Sequence, residues 1–222
     1  FTLVDAMINQ AREKDLHLVL LWFGSWKNSM SCYVPEWIKE DYKRFPHTLD
    51  ADGKPAEIVS PFCKEALTAD IKAFSELMKH IKSVDEIEQT VIMMQVENEI
   101  GQLPDARDYS TLANRAFQAD VPKELMDYLS KNRKNLLPSI ENLWASNGYK
   151  QKGNWESVFG KSLATDELFM AWNFAVYADK VAAAGKSIYP LPMYVNCALN
   201  RPNYRPGQYP SGGLLPHLMN IW

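Results

Sequence analysis

The chain has 222 residues, of which 46% are hydrophobic and 23% are charged, and its formal net charge is −3. These values are typical of a globular protein with a good core, and the scattered basic residues argue against a nucleic-acid partner. No apolar run of about 18 residues is present, so no membrane partner is predicted. The three cysteines are irregularly spaced and no histidine–carboxylate cluster has ligand spacing, so we expect neither a metal nor a cofactor.

The first part of the chain has the pattern of a helix, a strand and a long loop. Residues 1–15 place their apolar side chains on one helical face. Residues 16–23 are apolar apart from one histidine and stop at Gly24, which predicts a parallel strand buried on both faces. The loop that follows, as far as Trp37, is dense in aromatic and amide side chains. Its candidate ligand contacts are Trp26, Lys27, Asn28 and Tyr33.

A surface excursion and a second helix come next. Residues 42–60 are polar and rich in turn formers, which predicts a surface segment. Ser60 and Pro61 indicate the start of a long helix, with Ser60 as its N-cap. Apolar residues recur from Leu67 to Ile81 at spacings typical of a helix. We expect this helix to pack on a sheet and to lead into the next strand.

The stretch 91–101 carries the strongest chemical signal in the chain. Its apolar run predicts another strand buried on both faces, and this strand ends with Glu97, Asn98 and Glu99. Two carboxylates so close in a dry pocket cannot both stay ionised cheaply, so one is expected to have a raised pKa, as a general acid needs. The alternative is that Glu97 and Glu99 merely pair with Lys or Arg at a solvated strand end.

About 80 residues separate Gly101 from the next strand candidate, far more than an ordinary strand–helix unit needs. Helices are predicted at 110–119, 122–130 and 165–185. The tryptophans and tyrosine between 144 and 155 form either one wall of a ligand cleft or a small separate core. The third strand is predicted at 191–198 with Asn196 at its carboxyl end, followed by a loop at 201–213 and a helix start at 214–222.

The strand-end motif resembles a known family. Residues Gln95 to Gly101 resemble the Gln-Val-Glu-Asn-Glu-Tyr-Gly motif of family 35 glycoside hydrolases, mostly β-galactosidases, with Ile100 in place of Tyr. The resemblance implies that the motif ends strand four of a (β/α)8 barrel, that Glu99 is the acid/base and that Asn98 binds the sugar. Pro35-Glu36-Trp37 resembles the family's Pro-x-Trp, but the preceding Arg-Pro-Gly-Pro-Tyr run is replaced, which implies a divergent branch.

The resemblance also implies an architecture. An α/β fold that is part of a (β/α)8 TIM barrel is expected, covering about strands three to five with their helices and long insertions. A full barrel needs eight strands and about 250 residues, so residues 1–222 are expected to be a partial catalytic domain that lacks N-terminal and C-terminal strands. An incomplete barrel is expected to expose an apolar edge and to self-associate.

The function that the resemblance implies is retaining hydrolysis of β-galactosides or related β-glycosides. Glu99 would be the acid/base, and the nucleophile, which the clan places on strand seven, would lie outside the chain. The expected carbohydrate contacts are Asn98, Trp26, Lys27, Asn28, Tyr33 and Asn196. Glu97 is expected either to contact a substrate hydroxyl or to support the residues that do. The alternative is a carbohydrate-binding or catalytically inactive barrel fragment.

Overall fold

The computed structural model describes residues 1–199 and 203–213. In this part of the chain the helices are α1 (Thr2–Glu13), α2 (Glu36–Lys39), α3 (Lys64–Asp85), α4 (Thr111–Gln118), α5 (Lys123–Asn132), α6 (Pro138–Ala145), α7 (Trp155–Phe159) and α8 (Leu163–Ile188). The strands are β1 (Leu18–Trp22), β2 (Trp26–Asn28), β3 (Ser31–Cys32), β4 (His47–Leu49), β5 (Pro55–Val59), β6 (Val91–Val96) and β7 (Met193–Tyr194). The helix start predicted at 214–222 lies outside the described residues.

Three strands form the central sheet. They run parallel in the order β1-β6-β7, with Leu20 beside Met94 and Met94 beside Met193. Parallel neighbours need long crossover connections, and α3 and α8 lie in the two crossovers. The structure therefore confirms the mixed α/β architecture with a parallel sheet. The predicted third strand is much shorter than its apolar pattern, because only two of its residues pair with β6.

The two faces of the sheet differ in burial. Along β1, Leu18, Leu20 and Trp22 are partly buried, whereas Val19 is 39% and Leu21 is 53% exposed. The prediction that this strand is buried on both faces is therefore wrong. β6 is buried for most of its length, since it is the central strand. In the described part of the chain, β1 has no strand on its other side, so one edge of the sheet is free.

The helices α3 and α8 pack against each other and cover one face of the sheet. Trp22 of β1 lies against Phe74 of α3, with 5.5 Å between ring centroids. Phe74 also lies where a β-carbon on Gly185 of α8 would be, only 2.3 Å from that position, so glycine allows the two helices to approach closely. The predicted N-cap at Ser60 is wrong, because α3 begins at Lys64 with Cys63 as its cap.

Two hairpins lie between β1 and α3. Strands β2 and β3 form one antiparallel pair, and β4 and β5 form the other. The turn between β4 and β5 is held by Asp50, whose Oδ1 accepts hydrogen bonds from the backbone N–H groups of Asp52 and Lys54. The segment predicted only as a surface excursion therefore has a regular hairpin, because its polar turn residues connect two short pairing segments.

The long insertion between β6 and β7 has its own small core. Ser110 caps α4 through its hydroxyl, which accepts from the Ala113 N–H, and α4 and α5 match the predicted helices within a few residues. Trp144 and Trp155 are each 1% exposed, so these indoles fill the insertion and do not form a cleft wall. Among the described helices, none is both long and apolar enough to cross a membrane.

Candidate active site

The carboxyl ends of the three parallel strands converge on one group of polar side chains. Asn98 and Glu99 follow β6, Asn196 follows β7, and Lys27 lies in β2, the short strand that comes after β1. Because parallel strands end at the same edge of a sheet, side chains that are far apart in sequence meet there. The backbone N–H of Glu99 donates to Oδ1 of Asn196 at 2.8 Å, across 97 positions of the chain.

Both the oxygen and the nitrogen of the Asn98 carboxamide form hydrogen bonds within the protein. Its Oδ1 accepts from Nε2 of Gln95 and from Nδ2 of Asn196, both at 2.9 Å. Its Nδ2 donates to the Lys27 carbonyl at 2.6 Å. A carboxamide has about four hydrogen-bonding positions, so three of them are used within the protein. Asn98 and Asn196 therefore fix the turn that carries Glu99, and they lie together as the sequence predicted.

Glu99 itself lies in an unusual backbone conformation. Its φ is 43°, and that of Glu97 is 60°, so both occupy the left-handed region that non-glycine residues rarely adopt. Such strain costs about 1–3 kcal/mol per residue and persists only where surrounding contacts hold it. Glu99 is partly exposed, so its side chain has access to solvent at the strand edge.

Glu97 has a different environment from Glu99. It is fully buried, its Oε1 accepts from the Ser25 N–H at 3.2 Å, and its Oε2 accepts from the Trp26 N–H at 2.9 Å. Burial, together with the neighbouring Asp70 carboxyl, raises the pKa of Glu97 well above its usual value. Of the two roles predicted for Glu97, direct contact with a substrate hydroxyl is therefore wrong, because this carboxyl group is fully buried.

A raised pKa was predicted for one carboxyl group of the motif, and the structure shows that it is caused by burial of Glu97 and, next, by the carboxyl group of Asp70 on α3 rather than by Glu99. Asp70 accepts hydrogen bonds from Trp22 Nε1 at 2.8 Å, from the Ser25 hydroxyl at 3.0 Å and from the Tyr177 hydroxyl at 3.2 Å. Burial and the nearby carboxyl groups of Asp70 and Glu97 raise the pKa of Tyr177 as well. The carboxyl pair is therefore Glu97 with Asp70.

The predicted contacts in the loop after β1 separate into buried and exposed groups. Trp26 is 0% exposed, and its indole N–H donates to the Val59 carbonyl at 3.0 Å. A ligand cannot stack on a ring that is fully enclosed, so the prediction of a substrate contact at Trp26 is wrong. The Lys27 side chain is exposed. Asn28 is partly buried, and its Oδ1 accepts from the Met30 N–H and the Ser31 hydroxyl in the turn between β2 and β3.

Tyr33 is exposed but lies beside a different concavity. Its ring makes an edge contact with Phe23, at 5.5 Å between centroids. Both rings line a cavity of about 400 Å³ between the end of β1, the segment 33–38 and α3, and Asp70 also lines this cavity. The lining does not include Asn98 or Glu99. The aromatic loop and the polar strand-end group are thus two neighbouring features with separate surfaces.

Four residues of this region were not identified from the sequence: Gln95, Asp70, Ser25 and Tyr177. Gln95 is part of the motif, and its position two residues before Glu97 was the available signal. Asp70 lies on the buried stripe of α3, four positions before Phe74 and four after Ala66. A carboxylate on the apolar face of a helix signals a buried partner. Ser25 and Tyr177 give no comparable signal in the sequence.

Comparison with known proteins gives a likeness of fold. No protein-family model matches the sequence, and no curated protein matches it. Among solved structures, a β-galactosidase from Bacillus circulans sp. alkalophilus is similar, with a TM-score of 0.53 and 14% sequence identity. The match covers 89% of this chain and 29% of that chain, so the chain spans less than a third of the structure that it matches. At this identity the likeness extends to a glycoside-hydrolase-like fold.

Proposed function

We propose that this chain belongs to the catalytic domain of a retaining glycosidase that acts on β-galactosides or related β-glycosides. One observation carries the proposal: the motif that ends in Asn98 and Glu99 lies at the carboxyl end of the central parallel strand. Active sites of α/β barrels are built at this end of the sheet. The fold likeness to a β-galactosidase supports the same assignment at the level of architecture.

Glu99 has the role of general acid/base in this proposal. It would protonate the glycosidic oxygen in the first step and deprotonate water in the second. Its partial exposure allows a substrate to reach it, and the bond from its N–H to Asn196 holds its backbone. In the same proposal the side chains of Asn98, Lys27 and Asn28 contact hydroxyl groups of the sugar, which the bond from Asn98 to the Lys27 carbonyl supports by bringing the two segments together. Tyr33 would contribute an exposed ring farther along the same loop.

The proposal includes a larger barrel around the described sheet. We propose that β1, β6 and β7 are strands three to five of a (β/α)8 barrel, within which residues 1–222 form part of the catalytic domain. The free edge of β1 and the exposed Val19 and Leu21 support this arrangement, because neighbouring strands and a closed interior would cover them. The nucleophile would lie on another strand, about 5–5.5 Å from Glu99. Self-association through the free edge remains a prediction.

One observation favours the alternative of a carbohydrate-binding or catalytically inactive barrel. Three of the hydrogen-bonding positions of Asn98 are already used by Gln95, Asn196 and Lys27. In the proposed enzyme, Asn98 would need to contact the sugar with its remaining position or to exchange a partner. A binding protein could instead use the exposed groups of the loop after β1. The two functions differ in turnover, so kinetics separates them.

The first experiment uses aryl β-glycosides with the 222-residue chain and with the full-length protein that carries it. We expect the full-length protein to hydrolyse them and the chain alone not to, because the nucleophile is outside the chain. Turnover by the chain alone that Glu99→Gln abolishes would support the glycosidase and contradict the partial barrel. Binding of the glycosides without turnover by the full-length protein would support the alternative.

The second experiment assigns the role of Glu99. In the full-length protein, Glu99→Ala should slow hydrolysis most for substrates with poor leaving groups, because only these need a proton in the first step. With an activated substrate, azide should restore turnover and give a β-glycosyl azide, since azide attacks without a general base. Asn98→Ala is the matched control, and azide should not rescue it. Rescue of neither variant, or of Asn98→Ala alone, would contradict the assignment.

A further inference from the structure

The carboxyl groups of Glu97 and Asp70 meet in the interior beside Gly24. A β-carbon built on Gly24 would lie 2.4 Å from Oε1 of Glu97 and 2.6 Å from Oδ1 of Asp70, so both oxygens converge on one small volume. Glu97 is 0% and Asp70 is 6% exposed. Among residues 1–199 and 203–213, no basic nitrogen forms an ion pair with either carboxyl group.

Two adjoining buried carboxylates without a cation would repel each other strongly, so the pair is expected to hold one proton between them. The titratable groups that face Glu97 are Asp70 from α3, Tyr177 from α8 and Cys32 from β3. Burial raises the pKa of the Cys32 thiol to about 12, and Tyr177 is also a weak acid at neutral pH. None of these groups can supply the missing positive charge.

The hydrogen-bond lengths fit a neutral Glu97 that donates to Asp70. Oε1 of Glu97 and Oδ1 of Asp70 both surround the β-carbon position of Gly24, and the bond from the Ser25 N–H to Oε1 is 3.2 Å long. Oε2 of Glu97 has the shorter bond, 2.9 Å, from the Trp26 N–H. A protonated oxygen is the weaker acceptor. The Asp70 carboxylate is in turn supported by donors from Trp22, Ser25 and Tyr177.

The pair also fixes the turn that carries Glu99. Glu97 binds the N–H groups of Ser25 and Trp26, and the next residue, Asn98, binds the carbonyl of Lys27. Consecutive backbone groups of the loop after β1 are therefore held by consecutive side chains of the turn after β6. These hydrogen bonds hold Glu97 in its left-handed conformation, with a φ of 60°. This φ angle sets the direction in which the chain continues to Glu99.

We infer that Glu97 and Asp70, joined by one shared proton, are positioning residues that hold the Glu99 turn against the loop after β1. The catalytic consequence of this inference rests on the proposed glycosidase function, but the shared proton and the anchored turn do not. This positioning role requires no contact between either residue and a substrate. Removal of Asp70, which lies on a helix outside the strand-end group, should therefore alter the placement of Glu99 through Glu97.

The shared proton is tested on the 222-residue chain by infrared difference spectroscopy at neutral pH. We expect a carbonyl band of a protonated carboxylic acid in the unsubstituted chain, which Glu97→Gln and Asp70→Asn both remove. Glu99→Gln is the matched control, because it removes one carboxyl group from the same turn without touching the pair, and it should keep the band. Absence of the band in the unsubstituted chain, or its persistence in Glu97→Gln, would overturn the shared proton.

The stability of the same chain gives a second readout. Because the pKa of Glu97 is higher in the folded chain than its ordinary value of 4.5, the folded chain holds the proton more tightly and loses stability as pH rises above 4.5. Glu97→Gln should flatten this loss, whereas Glu99→Gln should keep it. Equal pH dependence in both variants would contradict the buried pair. If Glu97→Gln does not fold, Asp70→Asn provides the same comparison.

The positioning role is tested in the full-length protein. Glu97→Gln should lower kcat by roughly 10-fold to 100-fold while KM changes much less, because a displaced acid/base acts mainly on the chemical step. Azide should not rescue this variant, in contrast to Glu99→Ala. An unchanged kcat in Glu97→Gln would overturn the positioning role. If the full-length protein hydrolyses no glycoside at all, the proposed function fails. The infrared result still decides whether Glu97 and Asp70 share a proton.

Discussion

Gly24→Ala is the substitution that most directly probes the buried centre of this site. The added methyl carbon would lie 2.4 Å from Oε1 of Glu97, 2.6 Å from Oδ1 of Asp70 and 2.6 Å from Nε1 of Trp22. Real β-carbons essentially never approach other heavy atoms this closely. At least one of the three polar groups must move, and each of them is held in place by hydrogen bonds to buried or partly buried neighbours.

The expected cost is built from two contributions. Forcing an extra methyl group into a packed interior costs about 1–3 kcal/mol. Displacing one of the buried hydrogen-bonded groups adds about 1–3 kcal/mol, because a donor or acceptor then lacks its partner. Gly24→Ala should therefore lower the free energy of unfolding by about 2–6 kcal/mol, a large share of the roughly 5–15 kcal/mol that a native domain has.

Urea unfolding, followed by tryptophan fluorescence and circular dichroism, measures this cost. Gly53→Ala is the matched control, because Gly53 has a φ of +80° and no atom within 4 Å of the added carbon, so only backbone strain of about 1–2 kcal/mol is expected. Gly24→Ala must cost more than Gly53→Ala. An equal or smaller cost for Gly24→Ala would show that the carboxyl groups can separate freely, and the reasoning about their close approach would be refuted.

Two further predictions concern the helical layer and the insertion. Gly185→Ala should destabilise the chain by about 1–3 kcal/mol in urea unfolding, because the added carbon would lie 2.3 Å from the Phe74 ring. This cost should exceed the gain in helix propensity of roughly 1 kcal/mol. A stabilised variant would contradict the close helix contact. Burial raises the pKa of Asp166 from 3.8 to about 6, so its contribution to stability is lost as pH rises through that range. Asp166→Asn should flatten the loss between these pH values, and an unchanged stability profile would contradict the shift.

The order and type of the larger elements could be predicted because their patterns are long. Long patterns predict β1, β6 and α3: two apolar runs and one stripe of helical period, each of many residues. A single exceptional residue does not obscure a pattern of this length. The start of α3 was missed because Ser60 has the residue type of an N-cap but donates its hydroxyl to Asp108 at 2.6 Å. A tertiary hydrogen bond of this kind leaves no trace in the local sequence.

Within the site, the sequence predicted that Asn98, Glu99 and Asn196 lie near one another, because the carboxyl ends of parallel strands lie at one edge of a sheet. The resemblance assigned the acid/base role to Glu99 and not to Glu97, but the burial of Glu97 could not be predicted, since the two residues are of the same type. The left-handed φ angles at both residues rotate the chain out of simple strand alternation, so the face of each side chain could not be read from its position. Trp26 was assigned to the ligand-binding surface because it lies in a segment dense in aromatic and amide side chains, although its own side chain is fully buried.

The turn after β6 depends on contacts between residues that are distant in the chain. Glu97 binds Trp26 at a separation of 71 positions, and Glu99 binds Asn196 at a separation of 97 positions. Closing loops of this length costs little extra stability, about 0.6 kcal/mol for each doubling, but it slows folding because such contacts form after local ones. The helices can form from neighbouring residues, whereas Glu99 reaches its final geometry only when β1, β6 and β7 have assembled. The strand-end group is therefore expected to be among the last parts of the molecule to order during folding.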